Sequence, residues 1–159
     1  MNYLKISLGI FVALAASRFV PHPPNFTSLI ALSFYVPVFL GIRFIPAVLL
    51  SFALTDIFLG FHNTTLFTWG CVLVIGLIST YFSKNLIQRL TGTLFCAFIF
   101  YIITNFGVWS NGYYGYTLSG LFTCYLMAIP FFGYTMLSTV IFSMLIETLY
   151  KFKYLVIKY

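Results

Sequence analysis

Arg18 and Asp56 are charges of opposite sign set inside apolar runs. A charge at the centre of a membrane helix costs about 2.5–3.5 kcal/mol on insertion scales, and less toward the ends. The two are therefore expected to pair. Such a pair either locks two helices together or forms the polar wall of a pocket, and the roles are compatible because a ligand can compete for a paired charge. His22 and His62, with Asp56, offer the imidazole and carboxylate groups that suit zinc, cobalt or nickel. They come from separate connectors, with no H-x-x-x-H and no cysteine partner nearby, so hydrogen bonding at the membrane surface is the expected role. Neither a metal nor another cofactor is expected. Asn25 is placed to cap the second helix. Asn105 ends an apolar helix, where a buried amide needs partners, so it serves either a helix-end bond or a ligand. Trp109 opens an aromatic loop with Tyr113, Tyr114 and Tyr116, either an interfacial belt or a lid that stacks on a ligand. No nucleophile–base set, phosphate loop or carboxylate pair is present, and the chain is not expected to be an enzyme.

The elements that must position these residues are read from hydropathy. Of 159 residues, 62% are hydrophobic and only 6% charged, with mean hydropathy +1.04. Such a chain cannot cover a water-facing surface, and it reads as a single integral membrane domain over 1–159. The net charge of +6 is scattered between apolar runs rather than gathered into a face, which argues against nucleic acid. Six transmembrane helices are expected, at about 3–20, 28–42, 44–59, 66–82, 92–106 and 130–150, with Pro37 kinking the second. A short extra helix is expected at about 117–129, and Pro130 begins the last span, where its missing N–H does no harm. Lys5, Arg43, Lys84, Arg89, Lys151, Lys153 and Lys158 fall on one side of this arrangement and Arg18 on the other. Positive-inside bias then puts both termini in the cytoplasm and the chain in the inner (plasma) membrane. Glu147 is expected to partner Arg43 and Lys151 at the inner surface. The Ala13-Leu14-Ala15 run resembles a signal-peptide cleavage site, but the apolar run continues past it to Val20. Cys71, Cys96 and Cys124 lie in apolar runs and read as small buried hydrophobes.

The polar and aromatic connectors PHPPNFT, GFHNTT and GVWSNGYYGYT share the outer side, whereas the inner connectors are short and basic. Gly9, Ala13 and Ser17 on the first helix, and Ala47, Ser51 and Thr55 on the third, recur every four residues. Such stripes let helices approach closely, by internal packing or by docking a partner.

Four motifs carry a family resemblance: Pro21-His22-Pro23-Pro24-Asn25-Phe26-Thr27, Thr55-Asp56-Ile57-Phe58-Leu59-Gly60-Phe61-His62, Thr104-Asn105-Phe106-Gly107-Val108-Trp109, and Cys124-Tyr125 with Ala128-Ile129-Pro130-Phe131-Phe132. Across nearly the whole chain they resemble small bacterial membrane proteins of unknown function with a PHPPNFT signature. That family is similar, in size and helix count, to the substrate-binding (S) components of energy-coupling factor transporters. The similarity implies a six-helix bundle with an outward pocket, a small organic nutrient as ligand, and a transmembrane coupling subunit and ATPases as partners beside membrane lipid. It implies substrate binding by Arg18, His22, Asn25, Asp56, His62, Asn105 and Trp109, and docking through Gly9, Ala13 and Ser17. One stretch departs from the pattern: Tyr134, Thr135, Met136, Leu137, Ser138 and Thr139 stand where an Asn-Thr-Leu-x-Gly-Asp run is expected, so an amide and an acid are lost. The alternative is a non-transporting scaffold similar to six-helix cell-shape proteins of the MreD type.

Overall fold

A computed structural model describes residues 3–157, with side chains through Phe152; Lys158 and the side chain of Lys153 lie outside that description. The described residues are all-helical: α1 (Tyr3–Phe19), α2 (Leu29–Leu40), α3 (Ile45–Leu59), α4 (Thr65–Ile78), α5 (Leu86–Ser110), α6 (Leu118–Met127) and α7 (Ile129–Ile157). Short 3-10 turns lead into α3 (Ile42–Phe44) and leave α4 (Ser79–Phe82).

α2 is the hub. Every residue from Ser28 to Pro37 is buried, and the helix touches α3, α4, α5 and α7. A helix that is apolar all round needs such surroundings. Its walls divide into two packed groups. Leu14, Leu32, Phe44, Val48, Phe52 and Val72 fill the space toward α1, α3 and α4. Phe34, Tyr35, Cys71, Ile75, Cys96 and Ala97 fill the space toward α4 and α5. Outward-facing positions are apolar too, such as Leu8, Val12, Ile57, Leu66, Phe122 and Leu145, as a lipid-facing surface requires.

Among the described residues, four stretches are long and apolar enough to cross a membrane: Ile42–Leu59, Thr65–Phe82, Leu86–Ser110 and Ile129–Phe152. The expectation of six spans, the second and third of them short, is corrected to this extent. α1 has 17 residues and α2 only 12, and α2 rises about 18 Å at 1.5 Å per residue, short of the roughly 30 Å hydrocarbon layer. The extra helix lies within the expected 117–129 stretch, and Pro130 sits in the first turn of α7.

Two expectations about side chains are also corrected. Glu147 does not pair with Arg43 or Lys151. It points into the bundle, where Arg89 of α5 reaches it through Nε (2.5 Å) and Nη2 (2.8 Å). This fork explains why α5 runs a turn and a half before Gly92: Arg89 belongs to the helix because its charge is met inside. Asn25 does not cap α2. The cap position is Ser28, with no side-chain bond. Asn25 instead has φ 63, and Phe26 N–H donates to the Pro23 carbonyl at 3.0 Å. Proline second and a left-handed residue third are what a type II turn demands, and asparagine tolerates that conformation.

Candidate functional site

The C-terminal ends of α1, α3 and α5 and the N-terminal ends of α2, α4 and α7 gather at one end of the bundle, and their connectors meet there. Asn111 Nδ2 donates to the Asn63 carbonyl at 3.4 Å, joining the 111–117 loop to the α3–α4 connector. Ser17 Oγ lies 2.7 Å from Ser28 Oγ and accepts from Ser28 N–H at 3.1 Å, which ties the end of α1 to the start of α2. Thr117 caps α6 by accepting from Gly120 N–H. A Cβ on Gly120 would stand 2.1 Å from the Tyr114 carbonyl oxygen, so only glycine lets the loop lie this close to α6.

Between these ends lie two cavities of about 360 and 330 Å³ that share Asn25, His62, Thr68, Phe100 and Thr135. Together they form one bilobed cleft. The larger lobe is walled by α5, α6 and α7, with Tyr101, Asn105, Tyr114 and Phe132 among its lining. The smaller lobe reaches α1 and α3 and holds Arg18 and His22.

Arg18, in the last turn of α1, ion-pairs through Nη1 with Asp56 Oδ1 at 2.7 Å. The same nitrogen donates to Thr55 Oγ1 and to the Phe52 carbonyl, and the guanidinium lies 4.5 Å over the Phe52 ring. Asp56 is fully buried, and its other oxygen accepts from Trp69 Nε1 at 2.8 Å. A buried carboxylate needs such partners, although Oδ1 meets Arg18 as an ion pair without a hydrogen bond. His22 Nδ1 lies 2.7 Å from the Pro23 carbonyl oxygen. A carbonyl only accepts, so Nδ1 carries the proton and Nε2 holds the lone pair in the neutral ring. His62 Nδ1 meets Thr64 Oγ1 at 2.9 Å. The Thr65 hydroxyl is occupied by the His62 carbonyl at 2.7 Å, so Thr64 is the natural donor to that nitrogen.

The candidate residues thus divide. Arg18, His22, Asn25, His62 and Asn105 line the cleft. Asp56 lies behind Arg18 and lines neither lobe. Trp109 also lines neither; its indole donates to the Thr117 carbonyl at 3.3 Å and its ring meets Tyr116 edge-on, so it braces the loop, and Tyr114 is the loop residue at the cleft. Asn105 donates to the Tyr101 carbonyl at 2.8 Å and keeps its side-chain oxygen. Ser17 faces inward and does not continue the stripe of Gly9 and Ala13, which are exposed on α1. Ala47, Ser51 and Thr55 are buried and serve internal packing. Sequence reasoning missed Thr68, Phe100, Tyr101 and Phe132, whose types are ordinary for a membrane helix. Thr135 and Ser138, in the stretch that departs from the resembled pattern, also line the smaller lobe. Among the described residues, no three His, Cys, Asp or Glu side chains gather to hold a metal ion.

Residues 2–156 match the model of a family of unknown function, DUF6580. The chain belongs to that family. Comparison with curated proteins and with solved structures returns no match. Membership in DUF6580 thus brings a sequence pattern covering nearly the whole chain and no activity, and the functional reading must come from the cleft.

Proposed function

We propose that this DUF6580 protein is a membrane substrate-capture protein, similar in kind to the S components of energy-coupling factor transporters, and binds a small organic nutrient from the extracytoplasmic side. The single observation that carries the reading is the bilobed cleft, built by three connectors and six helix ends at one end of the bundle. Its character suits small-molecule capture: aromatic and apolar walls interspersed with polar groups that can orient a ligand. α1 and α2 act as the fifth and sixth spans of the bundle, α2 shielded by its neighbours from the lipid. The opposite end carries Lys5, Arg43, Lys84, Arg89 and Lys151, so positive-inside bias turns the cleft outward and leaves both termini cytoplasmic. The reading is a binding protein rather than an enzyme. Uptake then needs a coupling subunit and ATPases supplied in trans.

Native mass spectrometry of the full chain tests this. A small molecule should co-purify and be lost in Asn105→Ala while the protein stays folded. An empty wild-type protein, prepared from cells grown in rich medium, speaks against capture.

The exposed Gly9 and Ala13 on α1, where an added Cβ at Gly9 meets nothing within 4 Å, favour a second reading: a scaffold whose α1 docks a partner membrane protein. Bulky substitution there, Gly9→Leu with Ala13→Leu, should abolish partner pull-down if the scaffold reading holds and leave ligand co-purification intact.

A further inference from the structure

The smaller lobe has a chemistry of its own, and this inference rests on the capture reading above. All three of Arg18's polar contacts run through Nη1. Nε and Nη2, the edge that forks onto a carboxylate, take part in none of them. Arg18 nevertheless lines the lobe. The guanidinium is fixed from behind by Asp56 and Thr55 and from one face by Phe52, and Asp56 is fixed in turn by Trp69. Its position is therefore set before any ligand arrives, which reduces the ordering a ligand must impose.

The surroundings select for charge sign. The chain has only two acids. Asp56 lies behind Arg18, and Glu147 is bound by Arg89 at the far end of the bundle. Among the described residues, no carboxylate faces either lobe. An organic cation would sit unpaired beside Arg18, whereas an anion would meet the guanidinium edge that makes no other polar contact among the described residues. His22 and His62 line the same lobe, and the assigned protonation leaves each Nε2 outside the bonds that hold its ring. Thr68, Thr135 and Ser138 donate to their own helix carbonyls. Leu29, Ile30, Phe52, Leu59 and Phe100 supply the apolar wall.

We propose that the smaller lobe is a carboxylate subsite, and that the captured molecule is a small organic acid. Its carboxylate docks on the Nε–Nη2 edge of Arg18, and its apolar body extends past Phe100 into the larger lobe. The guanidinium then stands between two carboxylates, that of Asp56 and that of the ligand.

The test uses benzoate, its neutral isostere benzamide and inorganic phosphate as probes on the purified full chain, with affinity read by calorimetry and thermal shift. Benzoate should bind at least about tenfold more tightly than benzamide, the equivalent of one charge-assisted hydrogen bond. Phosphate should not displace it at equal concentration. Arg18→Gln alone strands a buried Asp56, so the informative variant is Arg18→Gln with Asp56→Asn, an uncharged pair of similar shape. It should keep its fold by gel filtration and lose the preference for benzoate. Benzamide binding as tightly as benzoate, a double variant that keeps the preference, or phosphate displacing benzoate each overturns the carboxylate assignment. A neutral molecule in the native mass spectrum overturns it while leaving capture standing. An empty native spectrum together with no response to any probe overturns both.

Discussion

At the scale of single residues, the Arg18–Asp56–Trp69 arrangement ties three helices together with charge. Asp56 is the most constrained member, because one oxygen accepts from Trp69 Nε1 and the other lies against the Arg18 charge. Removing it leaves a guanidinium with one side emptied and an indole N–H without its acceptor. Breaking a buried pair in this way costs about 3–5 kcal/mol, whereas losing one hydrogen bond to a charged group costs about 1.5–3. Asp56→Ala is therefore expected to destabilise the protein more than Trp69→Phe. Thermal unfolding in detergent checks the order, and equal or reversed effects would show that the pair contributes no more than the indole bond. The pair itself was legible in the sequence, since two lone charges in apolar runs have few alternatives to meeting each other. Its division of labour was not: Arg18 and Asp56 look equivalent as letters, and only the bundle puts one at the cleft and the other behind it.

Among elements, α7 is the one whose sequence concealed most. Its inward face carries Thr135, Ser138, Thr139, Ser143 and Glu147, all buried, running from the cleft toward the basic end. These hydroxyls are not alike. Thr135 and Ser138 donate to carbonyls of their own helix, the usual resolution for a hydroxyl in an apolar helix. Thr139 Oγ1 has no hydrogen-bond partner among the described residues. Removing an unmatched polar atom while keeping its shape is nearly neutral or stabilising, so Thr139→Val is expected to unfold within about 0.5 kcal/mol of wild type or above it. Glu147→Ala, which strands Arg89, should lose about 3–5 kcal/mol. A stability series on the two variants checks the contrast, and a large loss for Thr139→Val would mean that its hydroxyl has a partner after all. The sequence located the apolar helices because hydropathy is local. It misassigned Glu147 because the true partner lies 58 positions away and shares no local signal with it. Asn25 was misread as a cap for a related reason: the proline–proline–asparagine turn and a helix start use the same residue types, and only the backbone angle separates them.

For the molecule as a whole, the asymmetry between its two ends is the property with the widest consequence. One end has the cleft, the aromatic loop and a single arginine. The other has short basic turns, where Tyr3 O–H donates to the Arg43 carbonyl, Phe39 stacks on Tyr150 at 3.9 Å and the Arg89 guanidinium lies over Phe39. If the cleft faces outward, residues of the 111–117 loop are open to the medium and those of the α4–α5 connector are not. The chain is well suited to reporting this, because Cys71, Cys96 and Cys124 are all buried and should stay silent toward a bulky reagent. Tyr113→Cys places a thiol on the exposed loop, and Lys84→Cys places one on the exposed basic connector. In intact cells, a membrane-impermeant maleimide should label the first and spare the second; after permeabilisation it should label both. The reverse pattern would turn the bundle over. The cleft would then open toward the cytoplasm, and capture from outside would fail even with every contact within the bundle intact.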